Sequence, residues 1–123
     1  MTEKKEMVLY IATHAGEDPE RASLPFVLGV AALAMDVEVI VALQSTGVYL
    51  AKKGVMENVF AAGLPPLKEL VDNFRELGGK LWVCTPCIKE RKILESDLIE
   101  GAEIMAAAKL TEALLESSAS LVY

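Results

Sequence analysis

The sequence is short of the residues that most often staple a fold or perform chemistry: its 123 residues include one histidine, two cysteines and one tryptophan. Two cysteines three positions apart, Cys84 and Cys87, cannot join distant parts of a chain, so the disulfide framework of a small secreted domain is excluded. A reducing cytoplasm is the expected compartment. Positive charge is scarce as well. The chain has 12 Lys and Arg against 18 Asp and Glu, a net charge of −6, and no basic cluster longer than Lys4-Lys5 or Lys52-Lys53. Such a surface repels a phosphate backbone, which argues against direct contact with nucleic acid. No charge-free run reaches membrane-spanning length, since the most apolar stretch, Leu24 to Leu43, contains Pro25, Asp36 and Glu38. The start, Met1 to Glu6, mixes acid with base ahead of a short apolar run, which argues against a signal peptide. There is no Walker pattern and no G-x-G-x-x-G, so nucleotide binding has no support. Internal repeats and low-complexity segments are also absent.

Apolar residues are what the sequence has in excess, at 53%. One domain over residues 1–123 fits domain sizes of about 100–150 residues and buries a core without staples. The apolar surplus is read as subunit interface.

The pattern alternates strand with helix. Met7 to Ala12 is an unbroken apolar run, as expected of a central parallel strand covered on both faces. Asp18-Pro19 has the form of an N-cap followed by proline at the first helical position. The helix then starts either there, passing Pro25, or near Ser23. Val37 to Leu43 is a second β-rich run, closed by Gln44-Ser45-Thr46-Gly47, and Val48 to Gly63 reads as short helical pieces. After Pro66, residues Leu67, Leu70, Val71, Phe74 and Leu77 mark the apolar stripe of a helix that Gly78-Gly79 ends. Leu81 to Cys84 is a third strand, Thr85-Pro86 restarts a helix to about Lys92, and Gly101 to Met105 supplies a short fourth strand. A helix over Ala106 to Glu116, with Lys109, Glu112 and Glu116 on one face, precedes a last strand from Ala119 to Tyr123. The expected fold is α/β, with a parallel sheet of about five strands and helices on both faces.

Ligands in such sheets gather beyond the carboxyl ends of the strands, near the point where strand order reverses. The first three strands deliver Thr13-His14-Ala15-Gly16, Gln44-Ser45-Thr46-Gly47 and Cys84-Thr85-Pro86-Cys87 to that edge. A thiol where a strand passes into a helix meets unpaired N–H groups and the positive end of the helix dipole, and Lys89, Arg91 and Lys92 add charge. These features predict a thiolate at Cys84, the species that attacks sulfane sulfur, disulfides or electrophilic carbon. Free cysteines also occur as small buried apolar residues. Trp82 and Pro86 give the motif a local likeness to a thioredoxin site. It sits late in the chain, however, with no proline after it to complete such a site. Structural zinc needs four ligands, and Cys84, Cys87 and His14 provide three, so a metal would require carboxylates or a second subunit. His14 is a candidate proton carrier or donor to a thiolate. Ser45 and Thr46 are candidate anion binders through backbone N–H groups, and Thr85 a supporting residue. Trp82 is expected in the core.

Taken in order, Asp18-Pro19-Glu20-Arg21-Ala22, Gly47-Val48 after the second strand, Leu81-Trp82-Val83-Cys84 and Ser96-Asp97-Leu98-Ile99-Glu100-Gly101-Ala102, with the closing helix and strand, resemble the DsrE/DsrF/TusD-like sulfur-relay proteins. The resemblance covers nearly the whole chain. It implies a flavodoxin-like single domain assembled as a homotrimer or homohexamer, carrying sulfur as a cysteine persulfide between donor and acceptor proteins, without an organic cofactor. The carrier cysteine of catalytic members lies just after the third strand, at the position of Cys84. Cys87 has no counterpart in members with one cysteine there. It would either resolve a persulfide on Cys84 into a disulfide, releasing sulfide, or take the sulfur from Cys84.

Overall fold

The computed structural model describes residues 5–123; residues 1–4, where the reading against a signal peptide begins, lie outside the described residues. Five strands form one parallel sheet: β1 (Met7–Ala12), β2 (Glu38–Leu43), β3 (Lys80–Cys84), β4 (Glu103–Met105) and β5 (Ala119–Val122). Their order is β4-β3-β2-β1-β5. Four α-helices connect them: α1 (Pro19–Ala34), α2 (Leu67–Glu76), α3 (Thr85–Glu90) and α4 (Ala107–Glu116). The segment after β2 is made of two 3₁₀ helices, Ser45–Ala51 and Met56–Asn58, in keeping with the short helical pieces expected there.

Strands β1 and β2 lie at the centre because their apolar runs leave no face for water. Leu9, Ala12, Val41, Ala42 and Leu43 are fully buried. The register locates the helices. Val39 of β2 packs beside Gly29 of α1, at the point where the Phe74 ring of α2 also meets that glycine. Phe26 and Phe74 close this layer edge to face, with ring centroids 5.4 Å apart. Trp82 lies opposite Ala42, whose side chain points to the other face from Val39, and there Lys109 of α4 sits 4.7 Å from the indole ring centre. Helices therefore cover both faces, α1 and α2 on one and α4 on the other.

The helix that starts at Asp18 is the one that forms. Asp18 accepts a hydrogen bond from the Arg21 backbone N–H at 3.1 Å and pairs with the Arg21 guanidinium at 2.8 Å. The helix continues past Pro25, which is fully buried. Two boundaries differ from expectation. Helix α3 stops at Glu90, short of Lys92, which adopts a left-handed φ of 56°. Leu77 falls beyond the last turn of α2 and is 52% exposed, so the buried stripe ends at Phe74. Met35, Phe60, Leu94, Leu115, Leu121 and Val122 are also largely exposed, so part of the apolar surplus lies on the surface of the single chain.

Phe74 is fully buried, and the α1–α2 layer closes around it. Phe74→Ala should cost about 3–5 kcal/mol of unfolding free energy, measured by urea denaturation.

Candidate functional site

Parallel pairing of β2 with β3, with Leu43 opposite Val83, brings the exits of both strands to the same edge of the sheet. Cys84 is the last residue of β3, and Cys87 lies three residues on, in the first turn of α3. From β2 the chain turns at once. The Gln44 N–H donates to the Ala12 carbonyl at 3.0 Å, and Ser45 takes a left-handed φ of 52°. That conformation costs a non-glycine residue roughly 1–2 kcal/mol. Gly47 follows in close contact with β1, where a Cβ would overlap the Ala12 carbonyl oxygen. The 3₁₀ helix is thereby seated on the end of β1 with its first N–H turned toward the cysteines.

The two sulfurs are 2.9 Å apart, with the Cys87 thiol donating to Cys84, and the Ser45 N–H donates to Cys87 Sγ at 3.2 Å. Both cysteines are free thiols. They differ in exposure: Cys84 keeps 9% of its surface, whereas Cys87 is half-buried. Burial pushes the Cys84 thiol above its ordinary pKa, and the Cys87 sulfur beside it adds to the rise. The Cys87 backbone N–H and the Arg91 charge pull the other way without offsetting it. The expectation of a thiolate at Cys84 is thus corrected. Helix α3 has only six residues, so its dipole is small. Lys89 and Lys92 are exposed, and Arg91 donates to the Cys87 carbonyl oxygen at 3.2 Å.

The other residues expected at this edge divide. Ser45 reaches Cys87 through its main chain. Thr46 is half-buried within the 3₁₀ helix. Thr85 turns away, its hydroxyl donating to the Met105 carbonyl at 3.1 Å and so tying α3 to β4. His14 Nδ1 pairs with Glu17 Oε2 at 2.8 Å, and among the described residues no hydrogen bond joins it to either thiol. Burial tends to raise the Glu17 carboxyl, but hydrogen bonds from His14 and the Ala15 N–H outweigh this and hold it below its usual value. Trp82 lies in the core as expected, 7% exposed, with no hydrogen-bond partner for its Nε1 among the described residues. The order of strands reverses between β1 and β5, where the Thr13 N–H and hydroxyl both donate to the Tyr123 carbonyl at 2.7 Å. The thiols instead lie at the β2–β3 end, away from that reversal. Among the described residues, no three His, Cys, Asp or Glu side chains converge to hold a metal ion, and no helix is long and apolar enough to cross a membrane. The left-handed turn at Ser45 carries no sequence signal, because serine rarely adopts it.

Residues 6–123 match the profile of the DsrE/DsrF-like family. An uncharacterized protein of Methanocaldococcus jannaschii is 38% identical over 107 residues, covering 87% of this chain and 90% of its own. An uncharacterized protein of Methanopyrus kandleri is 30% identical over 112 residues, covering 91% and 89%. Among solved structures, the ychN protein of Escherichia coli superposes with a TM-score of 0.79 at 18% identity, covering 98% of this chain and all of that one. A protein of unknown function from Methanobacterium thermoautotrophicum superposes with a TM-score of 0.73, also at 18% identity and with the same coverage. At such identities these structures establish the fold.

Two measurements check the site. Brief iodoacetamide treatment at neutral pH should modify Cys87 well before Cys84, as read by fragment mass spectrometry; the reverse order would contradict the geometry. Because the Cys84 thiol is raised in the folded state, the unfolded chain loses its proton first as pH rises. Stability should therefore fall above the unfolded thiol value of roughly 8.5 and level off once the folded thiol ionises. Tyr10, raised by its own burial and by Tyr123, acts in the same direction. The difference between wild type and Cys84→Ala in urea denaturation, followed against pH, isolates the thiol.

Proposed function

As the chain belongs to the DsrE/DsrF-like family, a family of sulfur-relay proteins, we propose that it is a sulfur carrier that holds sulfane sulfur as a cysteine persulfide and passes it to an acceptor. The observation that supports this most strongly is the 2.9 Å approach of Cys84 and Cys87 at the carboxyl edge of the sheet, with a backbone N–H on the outer sulfur. The chemistry is an exchange and is redox-neutral. A thiolate attacks the outer sulfur of a hydropersulfide donor, a new S–S bond forms, and the donor leaves as its own thiolate. Attack by an acceptor thiolate reverses the roles. No organic cofactor or metal enters the exchange. The resemblance to catalytic members supports Cys84 as the residue that stores the sulfur.

The exposed Leu115 on α4, and Leu121 and Val122 on the edge strand β5, support a homo-oligomer, a trimer or hexamer, since an open apolar sheet edge is a place where a second copy can pair. Donor and acceptor are proteins or small thiol-sulfur compounds met in the cytoplasm. The net charge of −6 argues that any nucleic acid is served through an acceptor protein.

The same sulfur-to-sulfur distance favours a second reading, a dithiol/disulfide oxidoreductase, in which the pair cycles through a Cys84–Cys87 disulfide. A binding subunit without chemistry fits less well, because Cys87 is open to solvent on one side.

Incubation with glutathione hydropersulfide, removal of small molecules and cyanolysis should release about one thiocyanate per wild-type chain and none from Cys84→Ser/Cys87→Ser, as expected for thiol exchange. Loss of two hydrogens with no sulfur gained would favour the oxidoreductase. No change in wild type would remove both readings.

A further inference from the structure

We infer that the two thiols act in a fixed order: Cys87 takes sulfur from the donor, and Cys84, behind it, receives that sulfur from Cys87. This rests on the carrier reading above and assigns the direction of transfer within it. Three observations point the same way. A donor approaching from solvent meets Cys87 first, because Cys84 keeps only 9% of its surface. The Ser45 N–H is bonded to Cys87 and not to Cys84, so a negative charge on Cys87 has a donor already in place. Ser45 holds that N–H in position through a left-handed φ of 52°, and the packing of Gly47 on Ala12 fixes the turn. Strain kept at a polar contact is characteristic of a functional position.

The steps balance. Cys87, as thiolate, attacks the outer sulfur of R–S–SH; the donor S–S bond breaks and its electron pair leaves on R–S⁻, which takes a proton from water. Cys87 now carries the persulfide. Cys84 then attacks the same outer sulfur. Its proton moves to the departing Cys87 sulfur, 2.9 Å away in the resting pair, and the Ser45 N–H stabilises that leaving group. One S–S bond forms and one breaks in each step, and nothing is oxidised overall. A buried thiol is a poor nucleophile toward a free donor, but proximity offsets this for a sulfur held beside it. The stored sulfur ends in the more sheltered position.

The test is time-resolved intact mass spectrometry of wild type, Cys87→Ser, Cys84→Ser and Cys84→Ala with glutathione hydropersulfide. The alanine variant guards against a buried hydroxyl unfolding the edge, and circular dichroism confirms that each variant is folded. Cys87→Ser should gain sulfur at least about tenfold more slowly than wild type, because the thiol that remains is buried and sheltered from a free donor. The Cys84 variants should still gain one sulfur atom, located on Cys87, and lose it faster to added glutathione than wild type does. Cys87→Ser loading at the wild-type rate, with the Cys84 variants not loading, would overturn the order while leaving the carrier reading intact. Failure of wild type to load would overturn both.

Discussion

The site depends on the parallel pairing of β2 with β3. With Leu43 set opposite Val83, both strands end at the same edge, and Ser45, the second residue beyond β2, faces the first turn beyond β3. A shift of one residue would point the wrong side chains at the core and carry Ser45 away from Cys87. The register is secured by burial: Val39, Val41, Leu43, Leu81 and Val83 lie on one face, under α1 and α2, and each is almost completely buried. Packing energy spread across the sheet thus sets the position of a single hydrogen bond between the Ser45 N–H and the Cys87 sulfur.

Much of the fold was legible because the strongest signals are local. The apolar runs of β1 and β2, the Asp18-Pro19 start of α1 and the stripe ending at Phe74 each reflect a periodicity or cap that acts over a few residues. The choice between two starts for α1 was not legible, since it turned on whether Pro25 could be buried within a helix. Leu77 fits the stripe by spacing but lies past the end of the helix, because Gly78 adopts a φ of 96°. At the site, the convergence of Gln44-Ser45 with Cys84-Thr85-Pro86-Cys87 followed from strand order. The side-chain partners did not. His14 and Thr85 are near in sequence logic, yet each is held by a closer partner, Glu17 and Met105. The ionisation of Cys84 was not legible, because a helix start and three nearby cations suggest thiolate. Burial and a second thiol at 2.9 Å outweigh one short helix.

The raised, sheltered thiol at Cys84 bears on mechanism. A thiolate exposed at Cys84 would be open to any electrophile, whereas a sheltered thiol reacts mainly with what its neighbour presents. On the proposed order of transfer, a pair with unequal exposure separates capture from storage. The separation suits a relay protein, whose cargo reacts with free thiols and must be kept from them between encounters.

The most direct test of the central claim is the intact mass of the wild-type chain isolated without oxygen from cells supplied with sulfur, weighed before and after mild reductant. A persulfide carrier should show a fraction of chains heavier by one sulfur atom, lost on reduction and absent from Cys84→Ser/Cys87→Ser. Chains that carry two plain thiols or a Cys84–Cys87 disulfide, and never the added sulfur, would contradict it.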